Sequence, residues 1–174
     1  MTANSPYEQL RALGRALLTP AAPIGTYSPF KLSGNMLYLS GQGPRLANGR
    51  LMTGKVGRDL DVAQAYEHAR ITGLNLLSVA HKALGDLGRV AQVVKLFGMV
   101  NATPDFHDHP AVIDGCSDLL AKVFGATGHH ARSAVGMGSL PGNISVEIEA
   151  IFEVTKVETG TIRRNSATFA QVSG

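Results

Sequence analysis

The sequence contains little of what disulfide frameworks, membrane spans and secretion signals require. Only one of its 174 residues is a cysteine, Cys116, so neither an internal disulfide nor a cysteine-based zinc site can form. No apolar run reaches the length of a membrane span, and Glu8, Arg11 and Arg15 interrupt the N-terminal stretch that a signal peptide would keep apolar. We therefore expect a soluble protein of a reducing compartment, the cytoplasm, with no membrane partner.

Charge and aromatic content are also low. Charged residues make up 17% of the chain and aromatic residues 6%, and the net charge of +3 comes from scattered Lys and Arg, of which only Arg163 and Arg164 are adjacent. Because a nucleic-acid surface needs clustered basic groups and stacking aromatic side chains, we expect no nucleic-acid partner. A hydrophobic content of 44% suffices for one core, and 174 residues are too few for two ordinary domains. We expect one domain over residues 1–174.

The two ends of the chain differ from its middle. Residues 5–18 predict a short amphipathic helix with Ser5 as N-cap and Pro6 in the first turn, because its leucines recur at helical spacing. We take residues 1–19 as an extra N-terminal helical segment. Residues 156–174 are polar and rich in small side chains, which is typical of a loosely ordered tail.

A hairpin and an irregular segment follow the N-terminal helix. Residues 30–42 predict two short strands joined by a tight turn at residues 33–35, where Gly and Asn tolerate a positive φ. Residues 43–58 are rich in glycine and have no regular period, so they predict an irregular surface excursion.

Two longer amphipathic helices are predicted in the middle of the chain. The first begins at Asp61, a good N-cap, and its apolar residues recur at spacings of three and four up to Gly85. The second begins at Asp108 or His109, has a proline in its first turn, and ends at Gly125. Between them, an apolar and β-branched run predicts a buried strand.

The last third of the sequence predicts a hairpin. Residues 131–140 and 144–154 form its two arms, and residues 141–143 form the turn. In the second arm Val146 and every second residue after it are apolar, while Glu147 and Glu149 project from the other face. Together these elements predict an α+β fold, a mixed β-sheet with two helices packed on one face. The other face is partly apolar, which favours oligomerisation through it.

Arg132 and Glu147 are the strongest candidates for a binding or catalytic role. An arginine at the start of an apolar strand can hold a carboxylate through a two-pronged hydrogen bond that lysine cannot match, and Glu147 could orient or activate a water molecule. The alternative is that both are ordinary solvated side chains, since most Arg and Glu residues are.

The histidines and the cysteine favour structural interpretations. His107 and His109, and His129 with His130, lack the partner residues of a metal-binding motif, so we interpret them as capping or solvated pairs and expect no metal. Cys116 lies on the apolar stripe of the second long helix, where a small buried hydrophobe is expected rather than a nucleophile. No glycine-rich segment has the lysine and hydroxyl spacing of a phosphate loop.

Several segments, taken in order, resemble the Rid (reactive intermediate deaminase, YjgF-like) family. APIGTY at residues 22–27 is similar to the family's entry segment, LYLSGQ at 37–42 to its second strand and first glycine turn, and ARSAVGMGSLPGNISVEIEAI at 131–151 to its signature C-terminal hairpin. The resemblance covers about residues 20–155. GKVGRDL and GHHARSAVG look closest to a longer bacterial branch of the family.

The resemblance implies a chorismate-mutase-like fold assembled as a homotrimer, with sites in the clefts between subunits. It implies that Arg132 binds a substrate carboxylate, that Tyr27 contributes to the site and that Glu147 orients the hydrolytic water. Backbone groups near Gly41 and Ala134 are expected to contact the substrate. The implied reaction is hydrolysis of a 2-imino or 2-enamino acid to the 2-oxo acid and ammonia, without a metal or an organic cofactor.

Two positions depart from the family pattern. Ala134 stands where typical deaminases of the family carry a cysteine, and Asp114 stands where many carry an asparagine, so Asp114 could repel an anionic substrate or select a cationic part of one. Two function hypotheses therefore remain: a cofactor-free imine/enamine deaminase, and a non-catalytic trimeric protein that binds small carboxylates with the same arginine. The ribonuclease activity often attached to such sequences is not supported by any basic groove.

Overall fold

The computed structural model describes residues 5–23 and 25–155. Its helices and strands follow one another along the chain as α1 (Pro6–Ala12), β1 (Phe30–Ser33), β2 (Met36–Gln42), α2 (Val62–Leu84), β3 (Val90–Asn101), α3 (His109–Phe124), β4 (Ala131–Met137) and β5 (Val146–Val154).

The five strands form one mixed sheet in the order β1-β2-β5-β3-β4. β1 and β2 form the predicted hairpin, with Ser33 opposite Met36, and β5 pairs antiparallel with both β2 and β3. β3 and β4 are parallel, as expected for two strands joined through a helix. The predicted α+β fold, a mixed sheet with helices on one face, is confirmed.

The predicted hairpin between the last two strands is wrong. Among the described strands, β4 pairs only with β3, and β3 lies between β4 and β5 in the sheet. The reason is the long apolar β3, which gains two hydrogen-bonded neighbours only by lying inside the sheet. The loop from β4 to β5 crosses the end of β3, where the Asn101 side chain donates to Asn143 Oδ1 at 3.0 Å and to the carbonyl of Ile144 at 3.2 Å.

The core lies between one face of the sheet and the helices α2 and α3. The alternation predicted for β5 is confirmed, because Val146, Ile148, Ala150, Phe152 and Val154 are all buried. The two helices approach each other closely: a Cβ at Gly115 would lie 2.0 Å from the carbonyl oxygen of Tyr66. Any side chain at residue 115 would therefore push α3 away from α2.

The predicted ends of the two long helices are confirmed. Asp61 caps α2 by accepting a hydrogen bond from the backbone of Gln64, and Gly85 ends the helix in the left-handed conformation with φ 76°. Asp108 precedes α3 as its N-cap residue, but its side chain makes no capping hydrogen bond. Gly125 follows the last turn of α3.

The N-terminal helix is shorter than predicted. Its capping by Ser5 is confirmed, but α1 ends at Ala12, because Gly14 adopts a positive φ of 64°. The later leucines of the stripe pack against the core from non-helical backbone, and the Leu18 N–H donates to Ser78 Oγ at 2.8 Å. The predicted tail at residues 156–174 lies outside the described residues.

Residues 43–58 are irregular, as predicted, but they are attached to the core. Val56 is completely buried and forms an isolated bridge with Ala102 just after β3. Within residues 5–23 and 25–155, no helix combines the length and the apolar character needed to cross a lipid bilayer.

Candidate functional site

Arg132 lies at the start of β4, on the face of the sheet that the helices cover. Its register partner on β3 is the fully buried Leu96. The guanidinium Nη1 donates to Asp114 Oδ1 at 2.7 Å and to Ser117 Oγ at 2.9 Å. Asp114 and Ser117 are three residues apart on α3, so both face β4 from the same side of the helix. Arg132 is therefore held by an ion pair and a hydroxyl within one chain.

The hydrogen bonds continue from Ser117 to His130 and the backbone. His130 Nδ1 lies 2.7 Å from the carbonyl oxygen of Gly128, and its Nε2 lies 3.1 Å from Ser117 Oγ. Because a carbonyl only accepts, the proton is assigned to Nδ1, and Nε2 accepts from the Ser117 hydroxyl. Burial lowers the pKa of His130, the hydrogen bond to Gly128 opposes this shift, and the charge of Arg132 lowers the pKa further. A neutral imidazole thus fixes the hydroxyl that Arg132 contacts.

A cleft of about 290 Å³ opens beside this chain of hydrogen bonds. Within the described part of the chain, only Nη1 of Arg132 has hydrogen-bond partners, so Nε and Nη2 remain available as a two-pronged donor for a carboxylate. Asp114 partly offsets the positive charge of Arg132, because the two side chains form an ion pair. The Arg132 side chain is 22% exposed and the Asp114 side chain is 48% exposed. The cleft is lined by Ser117, Asp118, Ala121, Gly128, His129, His130 and Arg132.

Ala134 lies two residues after Arg132 and shares its face of the sheet. It pairs in register with Gly98 and packs partly buried against the core. Its methyl group offers no polar contact, so any polar contribution here comes from the backbone.

Glu147 lies on the opposite, open face of the sheet. Its register partner is Met99 on β3, and its carboxyl group fills the space that a side chain at residue 41 would need: a Cβ on Gly41 would lie 2.1 Å from Glu147 Oε1. Partial burial raises the pKa of Glu147, and repulsion from Glu149 raises it further. The carboxyl group of Glu147 makes no hydrogen bond with any other described residue, so its oxygens are free to accept from water.

Tyr27 lies near Gly41 at the end of β2. Both residues line a small cleft of about 130 Å³ together with Gln42 and Asn75, and Tyr27 is 51% exposed. Gly41 therefore adjoins Tyr27 on one side and Glu147 on the other.

The predicted site residues thus fall into two groups that one chain does not bring together. Arg132 is in register with Leu96, whereas Glu147 is in register with Met99, three residues further along β3. An odd separation along a strand places side chains on opposite faces. Arg132, Asp114 and Ala134 belong to the helix-covered face, and Glu147 belongs to the open face with Gly41 and Tyr27 beside it.

Sequence reasoning missed Ser117 and His130. The spacing of Asp114 and Ser117 on a predicted helix was a usable signal for a shared polar face. No signal connected either residue to His130, because that contact depends on how α3 packs beside β4. The described residues contain no cluster of three or more His, Cys, Asp and Glu side chains suited to a metal ion. Cys116 is completely buried, and burial raises its pKa to about 12.

The sheet with its two long helices defines the class of this protein, an α+β protein with a chorismate-mutase-like fold. A family model described as "YjgF/chorismate_mutase-like, putative endoribonuclease" matches residues 8–152. The chain belongs to this family, and the predicted resemblance to Rid proteins is confirmed.

Individual relatives cover most of the chain. A crystal structure of a protein of unknown function from Agrobacterium tumefaciens is 46% identical, covers 86% of this chain and 92% of its own, and superposes with a TM-score of 0.81. Protein TCP17 of Trypanosoma cruzi is 42% identical over 83% of this chain and 91% of its own length. A 2-iminobutanoate/2-iminopropanoate deaminase of Dermatophagoides farinae is 35% identical over 79% of this chain and 94% of its own.

Proposed function

We propose that this protein is a cofactor-free deaminase that hydrolyses 2-imino and 2-enamino acids to 2-oxo acids and ammonia. The observation that carries the proposal is the Arg132 guanidinium, fixed through Nη1 and free at Nε and Nη2 beside a cleft of substrate size. The similarity to a 2-iminobutanoate/2-iminopropanoate deaminase supports the same chemistry.

In this proposal, the free edge of Arg132 binds the substrate carboxylate and thereby positions the adjacent imine carbon. Water adds to that carbon, the carbon–nitrogen bond then breaks, and the protonated nitrogen leaves as ammonia. Since the imine is already reactive, orientation and charge stabilisation supply most of the acceleration. Ser117 and His130 act as positioning residues, because they hold the guanidinium rather than the substrate.

Glu147 is proposed as the base that orients the water. Its raised pKa suits it to proton transfer better than that of an ordinary surface carboxylate. Because Glu147 and Arg132 lie on opposite faces of one sheet, the proposed site combines Arg132 of one copy with Glu147 of a second copy, and Tyr27 and Gly41 accompany Glu147.

A site shared between two copies requires an oligomer, and we propose that this oligomer is a homotrimer. The open face carries Phe97, Met99, Tyr38 and Ile151 alongside its carboxylates, and Tyr38 is 44% exposed. A face of this composition favours burial against another copy. The proposal places the trimer in the cytoplasm, with a small carboxylate-containing substrate as its ligand. Sedimentation velocity tests the assembly, and a monomer at micromolar concentration would contradict it.

The central experiment measures 2-oxo acid and ammonia released from freshly generated 2-iminopropanoate. We expect turnover by the wild type and a loss of at least about a hundredfold in Arg132→Ala, because orientation of the substrate is removed. Arg11→Ala is the matched control, since Arg11 is exposed on α1 and belongs to neither group. Full activity in Arg132→Ala would reject the proposal.

The second candidate is a non-catalytic protein that binds small carboxylates. One observation favours it: Asp114 already pairs with Arg132, and Ala134 offers no side-chain polar group. In that case 2-oxobutanoate would raise the melting temperature saturably, the effect would disappear in Arg132→Ala, and no 2-imino acid would be turned over above the buffer rate.

A further inference from the structure

A third cleft lies at the end of β4 that is distant from Arg132. Its volume is about 420 Å³, against about 290 Å³ for the cleft beside Arg132. Its walls come from the irregular segment after β2, the loop between β3 and α3, and the residues at the end of β4. The side chains that face it include Lys55, Thr103, Phe106, His107, His109 and Met137.

Lys55 brings a fixed positive charge to this cleft. Its ammonium group donates to Asn101 Oδ1 at 2.8 Å, to the carbonyl of Ala102 at 3.3 Å and to the carbonyl of Gly138 at 2.7 Å. All three acceptors are neutral, and within residues 5–23 and 25–155 no carboxylate oxygen lies within 4 Å of the ammonium. The charge is therefore held in place without being neutralised.

The carboxylate of Asp59, four residues after Lys55, is ion-paired with Arg58. Asp59 accepts from the backbone N–H of Lys55 at 2.9 Å and from the guanidinium of Arg58 at 2.8 Å. The hydrogen bond from Arg58 is the main reason that the pKa of Asp59 is far below its usual range. Asp59 is thus ion-paired with Arg58, and it is not among the residues that line the cleft.

His109 offers both a donor and an acceptor to the same space. Its ring meets Phe106 edge-on at a centroid distance of 5.3 Å, and a Cβ at Gly136 would lie 2.4 Å from its Nε2, so the glycine makes room for the imidazole. Neither ring nitrogen bonds to another described residue. Burial lowers the pKa of His109, the charge of His107 lowers it further, and Asp108 opposes both.

Among the described residues, no carboxylate side chain lines the cleft. Asp105 and Asp108 lie on the exposed loop beside it, and Asp105 is held by the Thr103 hydroxyl and by its own N–H, which keep its pKa low. A ligand would therefore meet the ammonium of Lys55, the imidazole of His109 and the apolar surfaces of Phe106 and Met137.

We propose that this cleft binds a small organic carboxylate that carries a planar apolar group. The carboxylate lies beside Lys55, where it can replace the longest of the three hydrogen bonds, the one to Ala102, and it accepts from the imidazole of His109. The planar group packs against Phe106 and Met137. This site is separate from the proposed deaminase site, because its cleft shares no lining residue with the cleft beside Arg132 or with the cleft of Tyr27 and Gly41.

The test is a titration of the full chain with benzoate, followed by carbon-13 NMR of labelled histidine, in which His109→Gln assigns the His109 signals. We expect saturable shifts of the His109 signals with a dissociation constant of about 1 mM or lower. The neutral analogue benzamide should bind at least about tenfold more weakly, and added salt should weaken benzoate binding.

Variants separate this site from the deaminase site. Lys55→Met should weaken benzoate binding about tenfold, whereas Lys31→Met, at an exposed lysine of β1, and Arg132→Ala should leave it unchanged. Lys55→Met also removes the hydrogen bonds from Lys55 to Asn101, Ala102 and Gly138, so a second variant is needed. In Gly136→Ala, the new methyl group would displace His109 and should also weaken benzoate binding.

Three outcomes would overturn the proposal: no saturable shift of the His109 signals, equal binding of benzoate and benzamide, or loss of benzoate binding in Arg132→Ala. None of them bears on 2-imino acid turnover, which is measured separately.

Discussion

The two faces of the sheet present their functional side chains in different ways. On the helix-covered face, Arg132 is held by Asp114 and Ser117, and Ser117 is held in turn by His130. On the open face, the Glu147 carboxyl is partly buried without a hydrogen-bond partner among the described residues. The Arg132 guanidinium is thus held by hydrogen bonds within its own chain. The Glu147 carboxyl group is instead positioned mainly by the space that Gly41 leaves for it. In the proposed deaminase, the carboxylate is therefore bound by residues of one subunit, whereas activation of water requires a second subunit.

The largest expected effect is a loss of deaminase activity when Glu147 on the open face is displaced. In Gly41→Ala, the new methyl group would lie 2.1 Å from Glu147 Oε1 and would force the carboxyl group to move. We expect deaminase activity to fall about a hundredfold, because misplacement of a catalytic group by about 1 Å has that cost.

Gly138→Ala is the matched control for this substitution, since a Cβ at Gly138 meets nothing within 4 Å. Initial rates with 2-iminopropanoate compare the two variants. Equal rates for Gly41→Ala and Gly138→Ala would show that the position of Glu147 is irrelevant to turnover.

A smaller effect should come from the partner of Arg132 on the helix-covered face. Asp114→Asn keeps a side chain that can accept from Nη1 but removes the negative charge beside it. We expect the affinity for 2-oxobutanoate to rise up to about tenfold, because a competing charge near an exposed site is worth about 1 kcal/mol.

Isothermal titration calorimetry measures this affinity. Asp118→Asn is the control, because Asp118 lines the same cleft but accepts from the Tyr66 hydroxyl at 2.7 Å instead of pairing with Arg132. Unchanged or weaker binding in Asp114→Asn would mean that Asp114 orients Arg132 more than it neutralises it.

The hydrogen-bond chain behind Arg132 provides the next test. Ser117→Ala removes the hydroxyl between Arg132 and His130 while leaving the ion pair with Asp114 intact. We expect KM for the imino acid to rise about three- to tenfold with kcat less affected, since loss of one hydrogen bond costs about 1 kcal/mol. Recovery of the wild-type KM in Ser117→Thr would support positioning by the hydroxyl, and a fall in kcat alone would contradict it.

The smallest effect concerns stability and pH. The folded-state pKa of Glu147 is raised, so its contribution to stability is fully present below the unfolded pKa and is lost as the pH rises through the folded pKa. We therefore expect Glu147→Gln to melt at a higher temperature than the wild type at pH 7, and the difference to vanish near pH 3.5. Melting curves at both pH values check this, and a lower melting temperature for the variant at pH 7 would contradict it.

Local features of the sequence were sufficient to predict most of the elements. The period of two in Val146–Val154 identified the buried face of β5, and Asp61 and Gly85 marked the ends of α2, because these signals depend on residues close together in the chain. The N-terminal helix was predicted too long, because the leucine spacing continues past Gly14 although its backbone leaves the helix there.

The sequence by itself therefore determined the family, the helix caps, the strand faces and the identity of Arg132 and Glu147 as candidate residues. Only the tertiary structure decided that β3 separates β4 from β5 and that Arg132 is held by Asp114, Ser117 and, through Ser117, His130. It also decided that Arg132 and Glu147 lie on opposite faces of the sheet. The physical reason is that strand order and helix packing depend on contacts between distant residues, which the burial of the whole core fixes together.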